Sequence, residues 1–286
     1  MSARVWVSAV AVCVVLLASP SSAAWPLLSI LSSRPAAPID RAEHAARRAR
    51  LMAEIGDAAT IVLGATTPAN DVAFRQGHDF FYLTGVEIPD AILVVDGVRK
   101  ESVLFFTMDE KTADGLAIPI DLVGAPVTYT GVERAMAADQ FGGYLAGLVN
   151  RRQPIYTMFK PEEVGPENSN EKFNALQKSM TLDIWDGRLT RELQFVKQVR
   201  ERFPQAEVRD ISPIVWNLRK FKSPAELSTL REAARLGVEG HKALIRSTRP
   251  GVAEKALSAV FDFVTAMGGG RGLAYYTIIM SGKNHA

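Results

Sequence analysis

Five short strand candidates, most of them apolar and bounded by turn residues, alternate with helix-forming stretches and constrain the fold of this chain most. Residues 59–63 (ATIVL) are β-branched and apolar and end at Gly64, the length and flanks of a buried strand. Residues 91–95 and 102–107 are two further runs, with the turn dipeptide Asp96-Gly97 and a polar stretch 98–101 between them. That arrangement predicts an antiparallel hairpin. Residues 154–158 and 207–211 are two more strand candidates. Helix-forming segments alternate with them: 41–55, stopped by Gly56; the alanine-rich 132–148; and 191–203, where Leu193, Val196, Val199 and Phe203 share one face before Pro204. Strands alternating with helices predict an α/β layer architecture. Residues 161–170, rich in Pro, Gly, Asn and Glu, read as a loop.

From residue 212 the pattern changes to long helices. Ser223-Pro224-Ala225-Glu226 is a capping box with proline at the first helical position. Behind it Leu227, Leu230, Ala234, Val238, Leu244 and Ile245 form an apolar stripe, with Leu236 on the far side. Pro250-Gly251 breaks this helix, and a second follows with Leu257, Val260, Phe261 and Val264 as its buried face. Gly268-Gly269-Gly270 ends that one. Residues 275–280 read as a strand turned at Ser281-Gly282. A lone strand lacks a ladder partner, so the helical pair and strand read as the beginning of a second domain. The expected organisation is a signal peptide at 1–24, a linker at 25–40, a first domain at 41–205 and an incomplete second one at 206–286.

The first segment carries Arg4, an uncharged apolar run at 5–18, and then Pro20, Ser21, Ser22, Ala23 and Ala24. This is the pattern of a secretory signal, short for a membrane span, and it predicts a secreted or periplasmic product without a stable membrane span after cleavage. The single cysteine, Cys13, lies inside it, so the mature chain has no disulfide and depends on packing. With 33 basic and 31 acidic residues the chain has no global field to attract nucleic acid. The basic run Arg41, Arg47, Arg48, Arg50, interleaved with alanine, reads as the solvated face of a helix.

Common catalytic patterns are absent. The four histidines, His44, His78, His241 and His285, are scattered, and there is no H-E-x-x-H or G-x-S-x-G. His241 falls on the apolar stripe and reads as a core or boundary histidine. The glycine run 268–272 follows a helix instead of a strand, which favours helix termination over a phosphate loop. Asp79 and Asp90 flank Phe80-Phe81-Tyr82, either as an acidic pair near a cleft or as part of a structural loop whose aromatics fill the core.

Two stretches resemble a known family. Phe74-Arg75-Gln76-Gly77-His78-Asp79-Phe80-Phe81-Tyr82-Leu83-Thr84-Gly85 resembles the signature of the N-terminal domain of aminopeptidase P and creatinase-like proteins. There an Arg and then Asp-Phe-x-Tyr-Leu-Thr-Gly precede a strand pair. Arg75, Asp79, Tyr82 and Gly85 are the matching positions, with a structural role. The second stretch, residues 218–226 and 249–254, resembles the opening of the family's pita-bread domain, and residues 275–284 resemble its first strand and turn.

The resemblance runs from about residue 41 onward. It implies an α/β creatinase-like domain followed by the truncated start of an α+β pita-bread domain, from an Xaa-Pro aminopeptidase of metallopeptidase family M24. It implies two Mn²⁺-type ions, held by two Asp, one His and two Glu, which activate a water against the tertiary amide before proline. Those ligands and the catalytic histidine are expected beyond Ala286, and His285 is out of register with the latter. No catalytic or metal-ligating residue of this chain is therefore assigned, and the chain alone is expected to bind no metal and to be inactive. Implied partners are proline-containing peptides and, at full length, further copies of the protein. Prolidase is a close alternative. A non-catalytic creatinase-fold protein that binds peptides or partners is the alternative from another class.

Overall fold

A computed structural model describes residues 39–67, 74–160, 187–274 and 277–282, together with Leu182 and Trp185. The expectations for the signal peptide, the linker up to residue 38, the loop at 161–170, residues 275–276 and His285 lie outside the described residues.

Helix α1 (Arg41–Ile55) starts at Asp40, whose carboxylate accepts from the Ala42 N–H at 3.1 Å, and ends at Gly56 with φ 59°. Strand β1 (Ala59–Leu63) follows, then helix α2 (His78–Thr84). The aromatic cluster at 80–82 thus lies on a helix, not in a loop. Gly77 precedes the helix and Gly85 closes it in the left-handed conformation, with its N–H on the Phe81 carbonyl at 2.8 Å. Phe80 and Tyr82 are buried as expected, while Phe81 is partly exposed.

Strands β2 (Ile92–Asp96) and β3 (Glu101–Phe105) form the predicted antiparallel hairpin, with Ile92 opposite Phe105 and Asp96 opposite Glu101. Its turn is tightly specified. The buried Asp96 carboxylate accepts from the N–H groups of Val98 and Arg99 and from Gln153 Nε2 at 2.8–3.1 Å. A Cβ on Gly97 would stand 1.9 Å from the Gly56 carbonyl oxygen, so no other residue fits there.

Three short helices follow, α3 (Glu110–Gly115), α4 (Ile120–Gly124) and α5 (Pro126–Thr130). Residues 132–148 are not one helix. Their first part is strand β4 (Arg134–Met136), and helix α6 (Phe141–Asn150) begins later. Parallel pairing of β4 with β3 supplies partners for its backbone, and this tertiary contact overrides the helix preference of alanine.

Strand β5 (Ile155–Thr157), helix α7 (Arg191–Arg202), strand β6 (Val208–Asp210) and helix α8 (Ser212–Lys220) complete the first unit. The sheet order is β4-β3-β2-β1-β5-β6. β2 runs against both neighbours, while β3–β4, β1–β5 and β5–β6 are parallel. Alternate residues bury on opposite faces. Val62, Leu93, Val95 and Leu104 pack with Leu51, Phe80, Leu83 and Val215; Ile61, Val94, Val103 and Phe105 pack with Leu148, Val149 and Val199. Each such side chain stabilises the fold by about 1.5–3 kcal/mol. β6 and α8 lie past residue 205 and complete this sheet and its first core.

Helices α9 (Pro224–Ser247) and α10 (Glu254–Met267) form the expected pair. The capping box is present, with Glu226 N–H to Ser223 Oγ at 3.1 Å and Ser223 N–H to the Glu226 carboxylate at 2.8 Å. The face of α9 that packs differs from the expected one. Leu236 and Gly240 are buried, whereas Leu227, Leu230, Val238 and Ile245 are exposed. Gly240 sets this contact, because the Phe261 ring sits where a Cβ would be 2.6 Å from it. His241 is likewise exposed and not a core residue; its Nδ1 bonds the Gly237 carbonyl and its ring meets Phe261 edge-on.

Residues 277–280 form no strand. They lie along α10, with Thr277 Oγ1 on Asp262 at 3.0 Å and the Ser281 N–H on Glu254 at 2.7 Å. Side chains of α10 thus meet the Thr277 hydroxyl and the neighbouring Ser281. No helix among the described residues is long and apolar enough to cross a membrane.

Candidate functional site

Three of the four signature residues, Asp79, Tyr82 and Gly85, converge where α1, α2, α8 and the start of α9 meet. On α2, Asp79 is fully buried and its carboxylate pairs with the Arg219 guanidinium of α8. One turn on, the Tyr82 hydroxyl donates to the Leu218 carbonyl at 3.1 Å, and the Arg47 guanidinium lies 4.2 Å from its ring centroid. Burial, above all, pushes the Tyr82 phenol above its ordinary value.

Gly85 has φ 71°, and a Cβ there would lie 2.5 Å from His44 Nε2. The glycine therefore admits both the turn and the imidazole. Arg75 stands apart from this group: it is exposed and reaches the Leu273 carbonyl at 3.5 Å. Asp90 is also elsewhere, accepting from Thr67 Oγ1 at 2.6 Å, so Asp79 and Asp90 do not form an acidic pair.

Helix α1 supplies the other half of the site, which the sequence reading missed. Arg41 and Arg50 are solvated, but Arg47 and Arg48 are each only 1% exposed, correcting the expected surface face. Burial of two guanidiniums demands partners. Arg48 donates to Ser102 Oγ at 3.1 Å, to the Leu83 carbonyl at 2.9 Å and to the Gly131 carbonyl. Arg47 donates to the Tyr82 carbonyl at 3.0 Å and pairs with Glu43, and its Nη2 lies 3.4 Å from the Glu226 carboxylate. A signal was available: positions 44, 47 and 48 share the helical face of the apolar Leu51 and Ile55.

The Ser223 hydroxyl donates to the Glu43 carboxylate while accepting the Glu226 N–H. Glu43 thus feels burial, which raises its pKa, but the Ser223 hydroxyl and the Arg47 charge outweigh it and hold the group below its ordinary value. The result is a hydrogen-bonded clamp from α1 to the first turn of α9. Chemically it can dock and orient. Its one hydroxyl-to-carboxylate contact, Ser223 on Glu43, is engaged in capping α9. Among the described residues no three His, Cys, Asp or Glu side chains come together to hold a metal ion.

Comparison with known proteins follows the same division. Residues 44–159 match the family described as aminopeptidase P, N-terminal domain, and residues 228–286 match metallopeptidase family M24. The Xaa-Pro aminopeptidase of Escherichia coli (strain K12) is 27% identical over 257 residues, covering 86% of this chain and 54% of that protein. Among solved structures, the low pH form of aminopeptidase P from Escherichia coli superposes with a TM-score of 0.63 at 26% identity, over 87% of this chain and 54% of the other. Proline aminopeptidase P II from Yersinia pestis gives a TM-score of 0.58 at 25% identity, over 82% and 51%. The chain spans about half the length of these relatives. Arg47, Asp79, Tyr82 and Gly85 lie in the first matched region, and Ser223 and Glu226 lie just before the second, so the clamp ties the two regions together. The chain thus resembles the N-terminal part of the Xaa-Pro aminopeptidases, with a region matching the aminopeptidase P N-terminal domain followed by one matching metallopeptidase family M24.

Proposed function

We propose that this chain serves as the N-terminal portion of a metal-dependent Xaa-Pro aminopeptidase, which releases the residue preceding proline from the N-terminus of peptides. The observation that carries this reading is the alignment with the Escherichia coli Xaa-Pro aminopeptidase, which runs through both matched regions. Family M24 supplies a metal centre, proposed to hold two Mn²⁺ ions that activate water. The described residues bring together no ligand set for it, so no step through a metal is assigned to this chain. What its own residues do is position. Asp79, Tyr82 and Gly85 build the α2 side of the clamp, Arg75 reaches towards residue 273, and Glu43 and Arg47 hold the first turn of α9. We further propose secretion through residues 1–24 and self-association of the full-length protein.

The 286-residue chain alone is expected to be inactive. The purified chain, supplied with Mn²⁺ and an Xaa-Pro-Xaa tripeptide, should release no amino acid; release would overturn the inactivity. A longer product carrying a whole M24 domain should cleave the same tripeptide. If it binds the peptide without cleaving it, the non-catalytic creatinase-fold reading replaces the enzyme. Cleavage of Xaa-Pro dipeptides only would make it a prolidase.

A further inference from the structure

Helix α9 leaves the first unit at residues 221–222. Phe221 there is extended (φ −98°, ψ 118°) and 75% exposed. α8 on one side is anchored by the buried Val215, and the first turn of α9 on the other side is held by Glu43, Arg47, Ser223 and Glu226. The joint is therefore exposed, and polar contacts hold the first turn of α9 beside it.

Directly behind those contacts sits His44, 3% exposed. Its Nδ1 lies 3.0 Å from the Tyr82 carbonyl, the same oxygen to which Arg47 Nη1 donates, and 3.4 Å from that Nη1. Donation by Nδ1–H to the carbonyl fits this arrangement. His44 Nε2 faces the backbone of Gly85, where there is no room even for a methyl group. The charged groups around it are Glu43, Arg47 and Arg48 from α1, Glu226 from α9 through Arg47, Asp79 of α2 with Arg219 of α8, and Glu133 beside Arg48. Tyr82 of α2 contributes its carbonyl and a neutral phenol.

We propose that His44 makes this junction an acid-released latch: the neutral imidazole lets Arg47 bridge α1 to α9, and the protonated imidazole drives the guanidinium out. A charged ring would stand against two buried guanidiniums, and the nearby carboxylates Glu43 and Glu226 are already engaged. Arg47 is poised to leave, because its Nε is buried without a hydrogen-bond partner and would gain one in water. Burial, and then Arg47 and Arg48, lower the His44 pKa from its ordinary 6.5, against the upward pull of the Tyr82 carbonyl and Glu43. Stability contributed by the neutral ring is thus present above 6.5 and lost as pH falls from there towards the lower folded value.

The test uses the whole 286-residue chain. His44 is titrated by NMR while hydrogen exchange, corrected for intrinsic rates, is followed at residues 223–231 between about pH 7.5 and pH 3.5. The expected result is a fall in α9 protection of about tenfold or more that sets in near pH 6.5 and levels off where His44 titrates, with β1–β3 unchanged. H44Q should remove the step. Constant α9 protection in the wild type, an equal fall in H44Q, or a fall that begins only below the ordinary glutamate value of 4.5 would each overturn the latch. If H44Q does not fold, E226Q replaces it. It should bring α9 at about pH 7.5 to the wild type's acid level, and full protection in that variant would equally overturn the proposal.

Discussion

At Gly85 two constraints meet at one atom. The backbone is left-handed, and the space of a Cβ is taken by the His44 imidazole. Gly85→Ala should therefore cost more than the roughly 1 kcal/mol of an ordinary left-handed glycine, about 2–4 kcal/mol in all. Chemical denaturation checks this, and a loss below about 1 kcal/mol would mean that His44 moves aside freely. The importance of Asp79, Tyr82 and Gly85 was legible in the sequence through the family motif. Their partners Glu43, Arg47, Arg219 and Leu218 lie far from that motif in the chain, and nothing local says that they would meet it. Arg47 and Arg48 were read as solvated because alanine-interleaved arginines usually are. Here carbonyl oxygens of α2 and residue 131 turn towards the helix and accept from both guanidiniums.

Among the elements, α9 is the most instructive. Its start was legible because a capping box is a local contract between residues three apart. Ser223 has a second task, the bond to Glu43, which no local rule predicts. Ser223→Ala should cost about 1–2 kcal/mol for the lost cap. Ser223→Asp, normally an equivalent cap, should not rescue it, since it brings a carboxylate against those of Glu43 and Glu226. Melting both variants distinguishes the cases; an aspartate variant as stable as wild type would show that the Glu43 contact is dispensable. The packed face of α9 was not legible. Its larger apolar residues point elsewhere, and Gly240 admits the Phe261 ring because it lacks a side chain. β4 was misread for the related reason that an edge strand of three residues is made by its neighbour, β3.

Over the whole molecule, acid should weaken the tie between the two matched regions in two steps, the first through His44 and the second through Glu43. Glu43 is held below 4.5 when folded, so its contribution is present above that value and lost as pH falls through the folded one. The stability difference between wild type and E43Q, measured in denaturant at about pH 6 and again at about pH 3, should shrink at the lower pH. A constant difference would show that the charge of Glu43 is irrelevant.

The chain's own order of residues determined the α/β architecture, the β2–β3 hairpin, the capping box and the breaks at Gly56, Pro250-Gly251 and 268–270. Each depends on neighbours within a few positions, where backbone sterics and side-chain period act directly. The antiparallel pairing of β1 with β2, the parallel additions of β4, β5 and β6, the buried arginines and the clamp on α9 were decided by tertiary structure. They join residues up to 180 positions apart, as in the bond from Ser223 to Glu43. Whether a charge or a small residue is buried depends on what the fold brings opposite it.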